Sequence, residues 1–313
     1  MSFFRRLFGL TDTRVEESGD RIETAAPQEV TTPPPRPAPA QTRPLGPLEE
    51  YISPSRRIRV GYASDIGQVR SNNQDTLLVL ATSSEGNKPS QPMGLFIVAD
   101  GMGGHHDGER ASMVAAQTIA IHVTRELYLP SLQNHQPDAE QKTISEVLAE
   151  ALDAANAAVN ADVPEGGTTV TCAVVRGDLA YVAHVGDSRA YLIVEGQPSM
   201  ELLTRDHSLV RRLQELGQLT PEEAEVHPQR NVLYRAIGQG DTLEVDATTR
   251  RLPPSARLML CSDGLWGAVD DSHILQILRE YADPQEACER LIQAANEGGG
   301  PDNITVIVVQ MPR

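Results

Sequence analysis

Cysteine is scarce: the 313 residues include only Cys172, Cys261 and Cys288, with no CxxC spacing, and two of them lie inside apolar runs. That excludes a disulfide framework and a thiolate zinc site, and fits buried, reduced thiols in a cytoplasmic protein. Positive charge is scarce too. Lys and Arg number 27 against 43 Asp and Glu, for a formal net charge of −16. Such an acidic chain argues against nucleic acid and anionic membrane as main partners, and its solvated surface suits a monomer. No apolar run is long enough to span a bilayer. The N-terminal MSFFRRLFGL sets Phe3, Phe4, Leu7 and Phe8 around Arg5 and Arg6. It is too short and too interrupted for a signal-peptide core; a frayed terminus or a small docking helix are its two readings. There is no internal repeat. Neither a nucleophile elbow nor a cysteine–arginine signature is present, so nothing points to a covalent enzyme intermediate.

Residues 1–56 read as a disordered, proline-rich arm centred on TTPPPRPAPAQTRPLGP. Such a segment buries little and serves as a spacer or as a ligand for an aromatic groove. From Arg57 the pattern changes, and 57–313 reads as one domain. IRVGYAS, QDTLLVLAT, LFIVAD, RLMLCSD and NITVIVVQM read as strands. TTVTCAVVRGDLAYVAHVGDSRAYLIV reads as an antiparallel meander with Gly177-Asp178 as its first turn. GERASMVAAQTIAIHVTRELYL and TISEVLAEALDAANAAVNADV carry apolar residues at helical spacing. Thr220-Pro221 and Asp283-Pro284 are helix starts, each a capping side chain followed by proline. Hairpins with helices between them predict an α+β fold of antiparallel sheets covered by helices.

Four aspartates fall at the edges of the strand-like runs: Asp100 in VADGMGG, Asp187 in HVGDSRA, Asp263 in CSDGLWG and Asp302 in GGPDNITV. Any one alone is a common turn residue. Together they can gather carboxylates at one sheet edge, where mutual repulsion calls for a cation. Oxygen-only ligands favour hard ions such as Mg²⁺ or Mn²⁺, and a carboxylate cluster holding two of them is a hydrolytic site for phosphoryl groups. Gly101 can bring its carbonyl close to such an ion.

The segments SDIGQVRSNNQD, VADGMGGHHDGERAS, GGTTVTCAVV, AHVGDSRAYL, LTRDHSLVRRL, HPQRNVLYRAIG, CSDGLWGAVDD and GGPDNITVIVV follow in order from about Arg57 to the C-terminus. This ordered set resembles the bacterial branch of the protein phosphatase 2C family, metal-dependent serine/threonine phosphatases. The resemblance implies a four-layer α-β-β-α sandwich with the metals at one end of the sheets. It also implies Mn²⁺ or Mg²⁺ as cofactor, in two sites, with a third and weaker one in bacterial members. The reaction would be attack of a metal-bridging hydroxide on a phosphoserine or phosphothreonine. Phosphorylated proteins, a Ser/Thr kinase among them, would be the partners.

Carried onto this chain, the resemblance makes Asp100 the bridging ligand, with Gly101, Asp263 and Asp302 completing the first ion's shell and Asp75 acting directly or through water. Asp187 would serve the third ion; a self-bonded turn is its alternative. Arg70 would clamp the phosphate, since a guanidinium grips two oxygens at once. Gln74 stands where glutamate is frequent, which removes one negative charge. Met102 stands where animal-type members carry a histidine after Asp-Gly. His105 and His106 follow close by with a suitable pKa, and a structural role for His105, or a metal-bound water as acid, are alternatives. Residues 204–238 resemble the flap of the bacterial enzymes. Its Arg211 and Arg212 suit either substrate contact or a solvated helix face. Thr168 and Thr169 read as a structural strand entrance. Two other readings of the chain are a catalytically dead binding module and a phosphatase dedicated to one partner.

Overall fold

In the computed structural model of the chain, residues 57–82, 92–103, 106–132 and 142–313 are described. The proline-rich arm and His105 lie outside them.

The strands are β1 (Arg59–Asp65), β2 (Asp75–Thr82), β3 (Met93–Met102), β4 (Gly167–Thr168), β5 (Val170–Arg176), β6 (Leu179–Val185), β7 (Arg189–Ile193), β8 (Glu201–Leu202), β9 (Asp246–Arg251), β10 (Arg257–Cys261) and β11 (Ile304–Gln310). The α-helices are α1 (Asp107–Val123), α2 (Leu129–Leu132), α3 (Ile144–Asp162), α4 (Leu209–Glu215), α5 (Pro221–Glu225), α6 (Asp263–Trp266), α7 (Asp271–Glu280) and α8 (Pro284–Glu297). A π-helical turn, Thr124–Tyr128, links α1 to α2. One sheet has the order β1-β11-β10-β7-β8; the other runs β2-β3-β5-β6-β9, with β4 paired to β3. All pairings are antiparallel.

Period-2 alternation sorts the apolar side chains into three cores, and three cores between layers make four layers. Phe96 and Val98 of β3 join Leu258 and Leu260 of β10 and Ile307 and Val309 of β11 between the two sheets. Leu95 and Ile97 point the other way, onto Ala115 and Ile119 of α1 and Leu148 and Leu152 of α3. Met259, Val306 and Val308 pack under Ile274, Leu278 and Leu291 of α7 and α8. Burying each large side chain contributes roughly 1.5–3 kcal/mol. The expected α-β-β-α sandwich is therefore the fold. All three cysteines are buried free thiols, and desolvation pushes each thiol up to about 12.

The helix starts form as expected. Thr220 accepts from Glu223 N, and Glu223 bonds back to Thr220 N. Asp283 accepts from Gln285 N and Glu286 N. Three details differ from the expectations. First, the meander is only a hairpin. β5 and β6 pair around Gly177-Asp178 in one sheet, whereas β7 crosses to the other. The break is Gly186, held at φ +113°, where a Cβ would lie 2.4 Å from Thr169 Cβ. Second, β3 does not stop at Asp100 but runs through Met102. Third, β9 (DATTRR) is a largely exposed edge strand with no apolar alternation to announce it.

Among the described residues no helix is long and apolar enough to cross a membrane.

Candidate metal centre

Register places the first two carboxylates. Asp75 opens β2 and pairs directly with Asp100 near the end of β3, so both side chains leave the same face of that sheet. The other sheet brings its own pair to the same end. Asp263 follows β10 and opens α6, and Asp302 precedes β11, the neighbour of β10. Asp187 sits in the crossing between β6 and β7 and is 7 % exposed. Five of the expected ligands thus lie at one end of the sandwich, within electrostatic reach of one another.

The anchoring is dense. Thr169 N donates to Asp100 O at 2.8 Å, Asp100 N donates to Thr169 Oγ1 at 3.1 Å, and Thr168 Oγ1 donates to Asp100 O at 2.8 Å. The two threonines hold the strand end, in keeping with a structural role. Ser262 Oγ donates to Asp75 Oδ2 at 2.7 Å and accepts from Thr305 N at 2.9 Å, which ties the two sheets together. Asn303 accepts from Gln74 N at 2.8 Å and donates to Ile66 O and Asn72 O, both at 2.9 Å. It fixes the loop that carries Arg70. Trp266 Nε1 donates to Asp187 O at 3.1 Å, and the Arg189 guanidinium stacks 3.6 Å above the Trp266 ring. Arg189 in turn forks onto Asp206 at 3.0 and 2.7 Å. Sequence reasoning missed Ser262, Asn303, Trp266 and Arg189 as site supports. The first two adjoin expected ligands, which is the only signal that could have raised them.

Gly101 owes its place to close approach: it has no positive φ, and a Cβ there would lie 2.1 Å from Gly108 O at the start of α1. Gln74 is tied through its backbone, with its carbonyl accepting from Gly101 N at 3.1 Å and from Ser112 Oγ at 2.7 Å. Met102 accepts from Gln239 Nε2 at 3.4 Å. His106 is almost fully exposed and lies 4.0 Å from Glu109. Within residues 204–238, Arg211 and Arg212 lie 3.6 and 3.5 Å from Glu215, on the solvated side of α4.

Electrostatically the centre is strained. Burial, followed by the charges of Asp75 and Asp263, holds Asp100 well above the usual carboxylate range. Burial, with the nearby Asp263 and Asp302 charges, pushes Asp75 up to about 7. Burial and the Asp302 charge push Asp263 up to about 6. Asp187 is raised by burial and then by Asp263. Arg70 is the compensating cation at the rim. It is half-exposed, donates to Asp302 Oδ2 at 2.6 Å, and this bond raises its own pKa.

These donors suit a hard divalent ion. Asp75 Oδ1 and Asp263 Oδ1 are buried oxygens with no hydrogen-bond partner among the described residues. Orphaned buried carboxylate oxygens are costly unless a cation or ordered water meets them. Among the described residues no three acidic, histidine or cysteine side chains already form a ready-made cage.

The chain is similar to proteins of known kind. A family model described as "Protein phosphatase 2C" matches residues 61–304. The Serine/threonine phosphatase stp of Listeria innocua is 36% identical over 249 residues, covering 80% of this chain and 94% of that one. The Serine/threonine protein phosphatase PstP of Mycobacterium tuberculosis is 36% identical over 260 residues, 81% of this chain but only 45% of the relative, so the chain spans about half of that protein's length. A crystal structure of the PstP catalytic domain in complex with two manganese ions is 33% identical, with a TM-score of 0.63, covering 81% of this chain and 97% of that one. With a family model spanning the sandwich and relatives a third identical over four-fifths of the sequence, the chain belongs to the protein phosphatase 2C family.

Proposed function

We propose that this chain is a Mn²⁺- or Mg²⁺-dependent protein serine/threonine phosphatase that hydrolyses phosphoserine and phosphothreonine directly, without a covalent enzyme intermediate. The observation that carries the reading is the part-buried, in-register Asp75–Asp100 pair close to Asp263, with buried Oδ1 atoms of Asp75 and Asp263 left without a hydrogen-bond partner among the described residues. Asp75, Asp100, Asp263 and Asp302, with the Gly101 carbonyl, would hold two ions, and Asp187 a third. When bound, such ions supply charge neutralisation for the phosphate and an activated water for its hydrolysis.

The rest falls to the chain's own groups. Arg70, on a loop fixed by Asn303, orients the phosphate from the open side, where its fork can exchange Asp302 for two phosphate oxygens. Thr168 and Thr169 keep Asp100 from drifting. The Trp266–Arg189–Asp206 stack does the same for Asp187. The catalytic unit is 57–313, with 1–56 an arm dispensable for small substrates. Substrates are phosphorylated proteins, including a Ser/Thr kinase, met in the cytoplasm by a monomer.

The test is hydrolysis of p-nitrophenyl phosphate and of a phosphothreonine peptide, with and without MnCl₂, by wild type and Asp263→Asn. Metal-dependent turnover of both substrates, lost on substitution, supports the reading. A folded chain inactive with every divalent ion sinks it, and favours a binding module.

A further inference from the structure

The opposite end of the first sheet carries a charged cluster of the other sign. At the metal end β1, β11, β10 and β7 present Asp65, Ile304, Cys261 and Arg189; at the far end they present Arg59, Gln310, Arg257 and Ile193, in register with one another. Those far ends floor a cavity of about 1040 Å³. Five arginines line it (Arg57, Arg59, Arg257, Arg279 and Arg313), and among the described residues Glu195 is the only acidic side chain in the lining. Seven residues of strand, at about 3.3 Å each, put it roughly 20 Å from the carboxylates. Five guanidinium groups around one cavity, in a chain of net charge −16, are a local inversion of the whole surface.

Three of these arginines have partners that can be named. Arg59 pairs with Asp283 at the start of α8. Arg279 donates to the carbonyl of Gln197. Arg257 is nine-tenths buried, yet its hydrogen-bond acceptors are all neutral: Gln310 Oε1 at 2.5 Å, Tyr281 O at 2.9 Å, Ala282 O at 3.1 Å and Leu278 O. Burial and then the nearby Arg59 charge lower its pKa, and the Asp283 carboxylate that pairs with Arg59 only partly opposes them. An entering anion relieves that repulsion.

The cavity also selects among anions. Guanidinium forks match phosphate oxygens. Its volume is far beyond a single phosphate ion, and Ile193, Leu278 and Met311 add apolar wall for an organic body. We propose that this cavity is a second, non-catalytic site that binds a phosphorylated organic ligand about 20 Å from the metal centre. The ligand is either a phosphorylated peptide segment or a small free organophosphate; the chemistry of recognition is shared. The inference rests on the cavity alone and stands whether or not the chain is a phosphatase.

The test is calorimetric binding at fixed ionic strength to the full chain carrying Asp263→Asn, so that a phosphopeptide would persist. The probes are a phosphothreonine peptide, its unphosphorylated twin and adenosine monophosphate. We expect at least one phosphorylated probe to bind, the twin not to bind, and Arg279→Ala with Arg313→Ala to weaken binding at least fivefold. Arg279→Glu should weaken it further. In a chain with Asp263 intact, the Arg279 and Arg313 pair of substitutions should leave p-nitrophenyl phosphate turnover unchanged, which also shows that the variant folds. Binding of the peptide but not the nucleotide names a peptide source, and the reverse names a free one. No binding of either phosphorylated probe, an equal affinity for the twin, or a loss below fivefold overturns the proposal. Because the readout is binding in a chain without turnover, its failure is separate from failure of the phosphatase reading.

Discussion

Arg70 Nη2 donates to Oδ2 of Asp302 at 2.6 Å, so the cation expected to meet the phosphate is held by a carboxylate expected to meet the metal. The two roles are coupled: a substrate that draws Arg70 away also frees an Asp302 oxygen. Arg70→Ala should lower kcat/KM for p-nitrophenyl phosphate by about 10–100-fold, the range expected for one lost charge-assisted pair. Arg70→Lys should recover only part, because an ammonium has no fork. Steady-state kinetics at saturating Mn²⁺ decide it. An unchanged KM and kcat in both variants would remove Arg70 from the site.

Asn303 is 5 % exposed and makes three hydrogen bonds to the backbone of the 66–74 loop. At about 1 kcal/mol per bond, Asn303→Ala should destabilise the fold by about 2–4 kcal/mol. It should also release the loop that carries Arg70. Asn303→Asp keeps the acceptor for Gln74 N but cannot donate to Ile66 and Asn72, and it adds a charge to an already crowded centre. Urea melts of the three chains should rank wild type above both variants.

Most of the sandwich was legible because its strands are short apolar runs that alternate between two cores, as in LFIVAD and NITVIVV. The clustering of Asp100, Asp187, Asp263 and Asp302 at one end was legible as well, since each stands at an edge of such a run. What stayed hidden lacks a local pattern. β9 is an edge strand with threonines and arginines facing solvent, so nothing apolar marks it. The departure of β7 to the other sheet depends on one glycine at positive φ, Gly186, between two strand-like runs that read as one meander. Ser262 and Asn303 matter because they bond across sheets and loops, and partners some 40 and 230 positions away in the chain leave no trace in spacing. The arginine-lined cavity is assembled from five distant places and has no motif.

Gly101 and Gly217 test close approach against conformation. A Cβ at Gly101 would sit 2.1 Å from the Gly108 carbonyl, whereas Gly217 has φ +70° and nothing within 4 Å. Gly101→Ala must push α1 off the strand end, and should cost more than about 3 kcal/mol and disturb the Asp100 backbone. Gly217→Ala should cost only about 1–2 kcal/mol, the penalty of a left-handed alanine. Comparable stability losses in the two variants, measured by denaturant unfolding, would contradict the steric reading of Gly101.

His184 supplies a pH dependence with a definite sign. It is buried; Nε2 donates to Arg205 O at 3.1 Å, and Nδ1 lies 2.8 Å from the Thr171 hydroxyl, which also bonds Ser188 O. Burial, and then neighbouring His207, push its pKa down from 6.5 to about 4. A folded pKa below the unfolded one means that the unfolded chain takes a proton the native chain refuses. The His184 contribution is therefore full above pH 6.5 and declines as pH falls toward 4, by about 1.4 kcal/mol per pH unit. His184→Gln keeps an acceptor and a donor but does not titrate. The stability difference between wild type and this variant should shrink by about 2 kcal/mol from pH 7 to pH 5. A difference that stays constant would rule the mechanism out.

The carboxylates carry the opposite sign, and removing the ion exposes it. Burial and the neighbouring carboxylates push Asp75 up to about 7 and Asp263 up to about 6 in the metal-free chain, above the ordinary 3.8. Their raised folded values mean that this part of the stability is present below the ordinary carboxylate pKa and is lost as pH rises through 6 and 7. A divalent ion meets the ionised form, so its binding displaces protons and strengthens over the same window. Mn²⁺ should therefore raise the melting temperature more at pH 7.5 than at pH 5.5. Asp263→Asn separates a ligand from a structural residue. The amide removes one buried negative charge, so the metal-free variant at pH 7.5 should melt roughly 2–6 °C above the metal-free wild type. It should then gain much less from Mn²⁺. A purely structural Asp263 would give the reverse: a less stable variant with an undiminished response to the ion.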